Sequence, residues 1–483
     1  MSEAALEAVR GALAGAEAWV VGGAVRDELL GRDVSDVDVA VAGDAKPLAR
    51  ALARASGSGS ASFPLSDAFG AWRVIGPDQA WQVDLMPLQG DGTLADDLAR
   101  RDFTVNAMAR PLGAAPSGDG GASGGDPLAA VVDPFGGAAD LQARRLRMVA
   151  PRAFADDPLR VLRLARFACE LGFAPEDETV RVAAQHAAAI ERVAAERVFA
   201  ELKRVIASDR VVEGLELMDS LGLTPHVLPE LSGLRGVEQN RYHHLDVHDH
   251  TLEVLAETVA FERGDRVLLD DPELDRRIRA FLAQPFSDEI TRGTALRFGA
   301  LLHDVAKPET QAFHDDGTIL GFPGHADLGA DRSRATLTRL KASEKLRAHV
   351  ALLARHHLGL GYLVHKAPLD RRTIHQYLTK TSPVEVDVSL LSIADRLATR
   401  GRKADEAITK HLAIARIVLP AALDFASWRA QPPLLRGDEL ATALNIKPGP
   451  SLGALLAQLD EARYAGEITT PDHALQLARE LVG

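Results

Sequence analysis

The hydrophobic and polar positions of this chain follow two different periods, and the change falls near residue 150. Before it, apolar and polar residues alternate in short runs such as 34–41, where valines and aspartates take turns. This alternation predicts strands at 16–21, at 34–41 and around Asp84, with a helical turn at 25–30. After Asp156 the apolar residues recur at i, i+3 and i+4 spacing, which predicts helix after helix.

These patterns predict an α+β protein of four domains. An α/β head with a small mixed sheet (1–150) is followed by an all-α neck (151–239), an all-α third domain (240–425) and a helical tail (426–483). A chain of 483 residues with 46% apolar content can bury that many cores. Residues 113–127 are rich in Gly, Ala, Ser and Pro, and we expect a mobile hairpin loop there.

Two polar patterns in the head indicate phosphate and metal chemistry. Gly22 and Gly23 follow a predicted strand, where glycine lets a triphosphate approach the backbone. Asp36 and Asp38 are spaced i, i+2, which puts both carboxylates on one strand face, where hard cations bind. Two such carboxylates need cations to neutralise them, so we favour a two-Mg²⁺ nucleotidyl-transfer site over a turn beside a solvated strand. Asp84 is a candidate third carboxylate, with an ordinary exposed strand residue as the alternative.

Further blocks in the same order resemble the nucleotidyltransferase superfamily, specifically the bacterial tRNA nucleotidyltransferase and poly(A) polymerase class. They lie at 96–107, 133–141, 156–167 and 196–202, and the resemblance covers roughly 15–235. It implies addition of nucleotides to the 3′ end of tRNA from CTP and ATP, with release of pyrophosphate. Together with the chemistry of guanidinium and phosphate groups, it indicates these nucleotide-binding residues: Gly22, Gly23, Arg26, Asp27, Arg101, Asp102, Asn106, Asp157, Arg160, Arg163 and Arg166.

The resemblance implies that Asp157 and Arg160 read the incoming base, as the corresponding pair does in this family. At i, i+3 on a predicted helix they would be neighbours on one face. A carboxylate accepts from a base amino group, whereas a guanidinium donates to ring acceptors. The structural alternative is a helix N-cap followed by Pro158, and the two roles are compatible. Many family members have Glu-Asp where this chain has Asp156-Asp157.

The interval between Asp84 and the 96–107 block departs from the family pattern. Full CCA-adding enzymes carry a longer flexible loop there, which enables the switch from C to A addition, whereas this chain has only 85–95. Loops often carry function, so we predict addition of CC alone, which implies a separate A-adding enzyme. CCA addition and poly(A) polymerase activity remain as alternatives.

A second signal is independent of the first, because 12 of the 16 histidines fall between His243 and His375. The run 301–307, which contains His303-Asp304, resembles the signature of HD phosphohydrolases. That resemblance implies one metal on His250, His303, Asp304 and Asp395, and a second on His325 and His356, with His357 as a further neighbour. Imidazole and carboxylate ligands suit Ni²⁺, Mn²⁺, Fe or Zn²⁺, which activate water.

Two alternative hypotheses assign a different function to the histidine cluster or to the whole chain. In one, HD phosphohydrolysis of nucleotides or cyclic phosphates is the main activity and the N-terminal half only binds RNA. In the other, the chain is a non-catalytic RNA-binding scaffold. The complete carboxylate and histidine sets disfavour both.

Charge and composition add little to this picture. The net charge is −13, yet residues 141–170 hold seven arginines against three acids, which suits the approach of a tRNA acceptor end. One cysteine, Cys169, excludes a disulfide framework. We found no apolar run of membrane-spanning length, so we expect a cytoplasmic protein with no membrane partner; the sequence leaves the oligomeric state open.

Overall fold

The computed structural model describes residues 3–34, 36–66, 69–113, 130–240, 242–265 and 268–482. Its contacts divide the chain into two compact units, 1–201 with 213–226 and 202–212 with 227–483. The predicted loop at 113–127 lies outside the described residues from 114 onward. The four domain boundaries expected from the sequence stay predictions.

The head is built on a six-stranded mixed sheet, as its alternating pattern predicted. The strands are β1 (Ala18–Val21), β2 (Asp36–Val41), β3 (Ala61–Ser66), β4 (Ala71–Ile75), β5 (Gln82–Pro87) and β6 (Ala109–Pro111), in the order β3-β4-β5-β2-β1-β6. Val37, Val39 and Val41 are buried, so β2 has the apolar face that its sequence predicted. The helices of this part are α1 (Glu3–Ala12), α2 (Gly23–Leu29), α3 (Ala45–Ala55), α4 (Leu94–Ala99) and α5 (Gly137–Gln142).

The register of the central strands brings three polar residues into one row. Strand β2 pairs in parallel with β5, and Asp38 lies opposite Asp84. Strand β4 pairs antiparallel with β5, and Arg73 lies opposite the same Asp84. Residues opposite one another share a face of the sheet, so Arg73, Asp84 and Asp38 stand side by side across β4, β5 and β2.

Helices dominate from residue 150 onward, which confirms the predicted fold class. They begin with α6 (Ala153–Asp156), α7 (Leu159–Leu171), α8 (Asp177–Gln185), α9 (Ala195–Ala207), α10 (Val211–Ser220), α11 (Thr224–Val227) and α12 (Pro229–Ser232). The expected all-α neck contains one exception, because β7 (Arg145–Leu146) pairs in parallel with β8 (Ala174–Pro175).

The third predicted domain and the tail are also helical. Their helices are α13 (Val247–Arg263), α14 (Pro272–Leu282), α15 (Arg292–Leu302), α16 (Lys307–Thr310), α17 (His325–Arg339), α18 (Glu344–His356), α19 (Gly359–Leu363), α20 (Arg371–Thr381), α21 (Glu385–Ala398), α22 (Ala404–Arg429), α23 (Gly437–Leu444), α24 (Pro450–Ala465) and α25 (Pro471–Val482). A hairpin of β9 (Ala312–Phe313) and β10 (Ile319–Gly321) interrupts them. Short 3₁₀ turns cover Pro77–Gln79, Thr104–Asn106, Ala187–Arg192, Leu268–Asp270 and Val364–Lys366.

Helices α13, α15, α18 and α21 pack together and form the core from which the predicted metal ligands project. Among the described helices, α22 alone is long and apolar enough to cross a membrane. It packs against α19, α20 and α21, and its Arg416 donates hydrogen bonds to the Leu269 carbonyl and to Asp270. These contacts are those of a core helix, so the composition of α22 is weak support for a membrane span.

Candidate active sites

Gly22 and Arg101 lie against each other at the end of β1. Gly22 has φ +73°, a left-handed conformation that favours glycine. A Cβ built at Gly22 would come within 2.4 Å of the Arg101 Nη1 atom. Arg101 is held in place by Asp97, with Nη2 to Oδ2 at 3.2 Å. A glycine backbone and a guanidinium group therefore lie side by side, an arrangement suited to phosphate oxygens.

Asp38 and Asp84 lie opposite each other on neighbouring strands, beside an arginine that we did not predict as part of the site. Asp36 is two residues before Asp38 on β2. Asp84 accepts two hydrogen bonds from Arg73, Nε to Oδ1 at 2.7 Å and Nη2 to Oδ2 at 2.7 Å. Asp36 and Asp38 supply the hard oxygen donors that Mg²⁺ prefers, so this part of the chain fits the expected metal.

Four of the predicted nucleotide-binding residues bind one another in the head. Arg26 donates to both oxygens of Asp27, at 2.9 and 2.7 Å, and to the Asn106 Oδ1 atom at 2.6 Å. The Asn106 amide donates in turn to Asp102 at 2.9 Å. Arg26, Asn106 and Asp102 are buried. Their contacts are those of residues that fix the backbone around Gly22.

The same network continues into α7 and α9. Arg163 donates to Asp102 at 2.8 Å and to Glu201 at 3.3 Å, and Arg166 lies 3.0 Å from the other Glu201 oxygen. Burial alone would raise the pKa of Asp102, but the Arg163 charge and the hydrogen bonds from Asn106 and the Phe103 backbone hold that pKa well below its usual range. The carboxylate stays charged and links the head to the predicted base-reading helix. From the sequence, Glu201 could be placed only in a family block, because its partners are known only once α7 and α9 pack together.

Asp157 lies in extended backbone between α6 and α7, with φ −145° and ψ 102°, so it is not on the helix face expected from its i, i+3 spacing. Pro158 starts the next helix, which forces this break. The Asp157 Oδ1 atom accepts from the Leu159 N–H at 3.1 Å, as the N-cap alternative predicted, and Oδ2 accepts from Arg197 at 2.8 Å. Arg160 donates to backbone carbonyls, including that of Ala153 at 3.1 Å. Base reading by Asp157 and Arg160 stays a prediction.

The histidine-rich centre contains two groups of three possible ligands. His250, His303 and Asp395 form one, and Asp304, His325 and His357 form the other; within each group the ligand atoms lie within 4.8 Å of one another. Asp304 lies between the groups. One of its oxygens is 3.1 Å from His303 Nε2, and the other is 3.5 Å from His325 Nε2 and 3.8 Å from His357 Nε2.

Three of these imidazoles are oriented by the backbone. The Nδ1–H groups of His303, His325 and His357 donate to the carbonyls three residues earlier, at 2.8, 2.7 and 2.7 Å. Because a carbonyl can only accept, each Nδ1 carries the proton, and each Nε2 lone pair is free to face the centre. This is the tautomer that a metal ligand needs.

The centre also contains buried polar atoms that other groups do not satisfy. Lys307 Nζ lies 2.6 Å from the Asp304 Oδ2 atom, and His303 Nε2 lies 3.1 Å from the same oxygen. Neither contact has hydrogen-bond geometry. Within the described residues, both Asp304 oxygens and His303 Nε2 therefore lack a hydrogen bond. Burial disfavours the charged forms of Asp304 and His303. The attraction between the Asp304 carboxylate and the His303 imidazolium nevertheless holds the pKa of Asp304 well below its usual range and raises the pKa of His303. A transition metal would satisfy these atoms, so the residues fit the predicted group.

His356 must be replaced by His357 in the predicted ligand set. His357 is 1% exposed and lies 3.3 Å from His325, whereas His356 is half-buried and belongs to neither group. Consecutive residues at a helix end point about 100° apart, so the backbone that directs His357 inward directs His356 away. The doublet in the sequence could not show which one faces the centre.

A cavity of about 300 Å³ opens onto this centre. Asp304, His325, His357 and Asp395 line it, together with residues that we did not predict from the sequence: Tyr242, Lys307, Phe322 and Arg396. Lys307 donates to the Gln239 Oε1 atom at 2.7 Å. Lys307 could have been predicted from the sequence by its position in the 301–307 run.

Family profiles match three parts of the chain. The Poly A polymerase head domain matches residues 18–147, the probable RNA and SrmB-binding site of polymerase A matches 172–234, and the HD domain matches 279–400. The first range contains the aspartate-bearing sheet, and the third contains the candidate ligands of the histidine-rich centre except His250.

Relatives match nearly the whole chain. The A-adding tRNA nucleotidyltransferase of Deinococcus radiodurans is 36% identical over 464 residues, which are 95% of this chain and 94% of the relative. The CC-adding tRNA nucleotidyltransferase of Thermus thermophilus is 32% identical and covers 95% of this chain and 92% of its own. A solved CCA-adding enzyme in an apo form has the same fold, with a TM-score of 0.61 at 19% identity over 99% of this chain and 93% of that one.

Proposed function

Because this chain belongs to the tRNA nucleotidyltransferase family, we propose that it adds two cytidines to the 3′ end of tRNA from CTP, releases pyrophosphate, and stops there. Relatives of similar identity are called A-adding and CC-adding, so their names do not decide between the products. The observation that carries the proposal is the short connection between β5 and α4.

Only residues 88–93 separate β5 from α4, and hydrogen bonds hold them at both ends. The Gln89 N–H donates to Asp97 at 3.3 Å, and the Gln89 side chain donates to the Pro87 carbonyl at 2.8 Å. At the other end Thr93 caps α4 by accepting from the Asp96 N–H at 3.1 Å. A connection this short and this tightly bound cannot act as the long flexible loop with which family members switch from C to A.

In the proposed mechanism the head residues bind and orient the two substrates. Asp36 and Asp38 would hold two Mg²⁺ ions, which when bound lower the pKa of the primer 3′-hydroxyl and stabilise charge on the α-phosphate and pyrophosphate. Arg101, beside the Gly22 backbone, binds phosphate oxygens of CTP. Asp157 accepts from the cytosine amino group and Arg160 donates to its ring acceptors.

The test uses three tRNA transcripts that end at the discriminator base, at C and at CC, each with CTP, ATP or both. Products are resolved at single nucleotides, with D38N as the inactive control. Extension to CC that stops there supports the proposal and requires a separate A-adding enzyme. Extension through A refutes the loop argument, and a long A tail would indicate a poly(A) polymerase.

We propose that the histidine-rich centre is an accessory metal-dependent phosphohydrolase site. The atoms of His303 and Asp304 that lack hydrogen bonds support this, because a bound metal would use them, and a metal bound there supplies activated water. Hydrolysis of a nucleotide phosphoester that survives D38N and is lost in D304N would support two independent sites. Loss of both activities in either variant would contradict them, and hydrolysis without any nucleotide addition would make the HD site the main activity.

The partners that follow from this function are the tRNA acceptor end and CTP, with ATP only if A is added. Part of the arginine excess near residues 141–170 is used internally, since Arg145 and Arg147 both bind the buried Asp140. We infer a cytoplasmic location, where mature tRNA is made in bacteria.

A further inference from the structure

We propose that Arg73 keeps Asp84 out of the metal site of the head, so that the carboxylates of β2 hold the metal ions without a third ligand from β5. The inference rests on the metal role proposed above for Asp36 and Asp38. It makes Arg73 a positioning residue, and it changes the role of Asp84 from the metal-binding carboxylate expected from the sequence to a neutralised one.

The position of Asp84 is suited to metal binding. It lies opposite Asp38 in the parallel pair of β2 and β5, and both side chains face the same way. Neighbouring strands are about 4.8 Å apart, and one divalent ion can bridge two carboxylates at that separation. Position alone would therefore make Asp84 a third ligand.

The contacts of Asp84 argue the other way. Arg73 lies opposite Asp84 on the far side of β5 and engages both carboxylate oxygens at 2.7 Å. A bidentate, charge-assisted pair of this kind is among the stronger polar contacts in proteins. The side chains of Arg73 and Asp84 are 30% and 17% exposed, so water screens the pair only in part. A metal ion would have to break both hydrogen bonds and approach an arginine charge.

Removing the arginine charge should expose this hidden ligand. In R73M the Asp84 carboxylate would be free to turn to an ion held by Asp38, and one positive charge near the site would be gone. Without the Arg73 charge, a divalent ion a strand or two away is no longer repelled, so we expect about tenfold tighter binding.

A matched control lies on the opposite face of the same sheet. Trp72 precedes Arg73 on β4 and points the other way, and Arg50 stacks over its ring at 5.7 Å. R50M removes the same charge from the same part of the head, but from the face of the sheet opposite to Asp38 and Asp84. It should leave metal binding unchanged.

The test is Mn²⁺ titration of the full-length protein without nucleotide or tRNA, with free Mn²⁺ read from its electron paramagnetic resonance signal. Subtracting the titration of D38N, which keeps the histidine-rich centre, isolates binding at the head. We expect R73M to bind about tenfold tighter and D84N to bind more weakly, because each variant leaves one uncompensated charge beside the site. R73M/D84N removes both charges and should return to the wild-type value.

Weaker binding in R73M/D84N than in the wild type, by about fivefold or more, would overturn the proposal, because the local charge is then unchanged and Asp84 must already have been a ligand. Unchanged binding in R73M would also overturn it. R73M/D84N decides the matter alone if R73M does not fold. Equal binding in D38N and the wild type would instead refute the proposed metal role of Asp38, a failure that these data distinguish from that of Arg73.

Discussion

The contact between Gly22 and Arg101 gives a prediction that separates backbone strain from loss of function. In G22A the new methyl group would lie 2.4 Å from the Arg101 Nη1 atom and would have to displace it. The displaced atom is the far end of a flexible side chain, so we expect Arg101 to move away from Asp97 and from the phosphate position. The backbone would meanwhile have to hold alanine at φ +73°.

The two effects have different sizes. Gly22 has ψ −129°, which lies outside the left-handed helical region in backbone that is nearly restricted to glycine, so alanine there costs about 1 to 3 kcal/mol of folding stability. A hydrogen bond from a charged donor is worth about 1.5 to 3 kcal/mol, so losing the Arg101 contact to the triphosphate should lower kcat/KM for CTP about tenfold to a hundredfold. The stability loss alone should not change CTP use by the fraction that remains folded.

Gly31 provides the matched control for this prediction. It has φ +66°, and a Cβ there would meet nothing within 4 Å. G31A should therefore lose stability in urea unfolding through backbone strain alone, yet keep the wild-type kcat/KM for CTP in the C-addition assay. Equal activity of G22A and G31A would refute the reasoning, and so would wild-type kinetics in R101M.

Three further predictions follow from buried charges. Burial lowers the pKa of His411 from 6.5 to about 4. Above pH 6.5 this costs nothing, but as pH falls the unfolded chain takes up a proton that the folded chain refuses, so His411 alone should contribute a loss of about 2.5 kcal/mol by pH 4.5. Other buried histidines add their own losses. Urea unfolding at pH 7 and 4.5 should therefore show that H411Q loses about 2.5 kcal/mol less than wild type, whereas H473Q, at an exposed position, loses as much as wild type. D304N should lower the metal content of the chain by mass spectrometry and keep CC addition, and retained metal would contradict the ligand role. E201Q should cost about 2 to 4 kcal/mol, because it breaks a buried pair with two arginines, whereas E178Q, in an exposed pair, should leave the stability nearly unchanged in the same urea assay.

Sequence patterns predicted those features that depend on residues close together in the chain. The alternation in β2 and the spacing of Asp36 and Asp38 follow from the strand period alone. The His303-Asp304 doublet and the distant His250 and Asp395 followed from a family resemblance, and the structure places all four in one centre.

Features that depend on register or on helix rotation could not be predicted in the same way. The pairing of Arg73 with Asp84 follows from how β4 aligns with β5, and a shift of one residue would put the arginine on the opposite face. The choice between His356 and His357 depends on where α18 ends. Asp157 lost its expected place on a helix because Pro158 sets a new helix start, a signal that the sequence did contain.

The carboxylate site of the head and the histidine-rich centre differ in ligand chemistry. This difference bears on how one chain could load both sites with metal. The head offers carboxylate oxygens, which suit Mg²⁺ and bind it weakly enough for exchange. The histidine-rich centre, which is the HD centre, offers carboxylates and imidazole nitrogens. Backbone carbonyls fix the tautomers of three imidazoles, and such sites bind transition metals more tightly than Mg²⁺. Magnesium at cellular concentrations would therefore fill the head without displacing the metal of the HD centre. Each site can then be loaded from a different ion in the same solution, so the two activities need no physical separation of their metals.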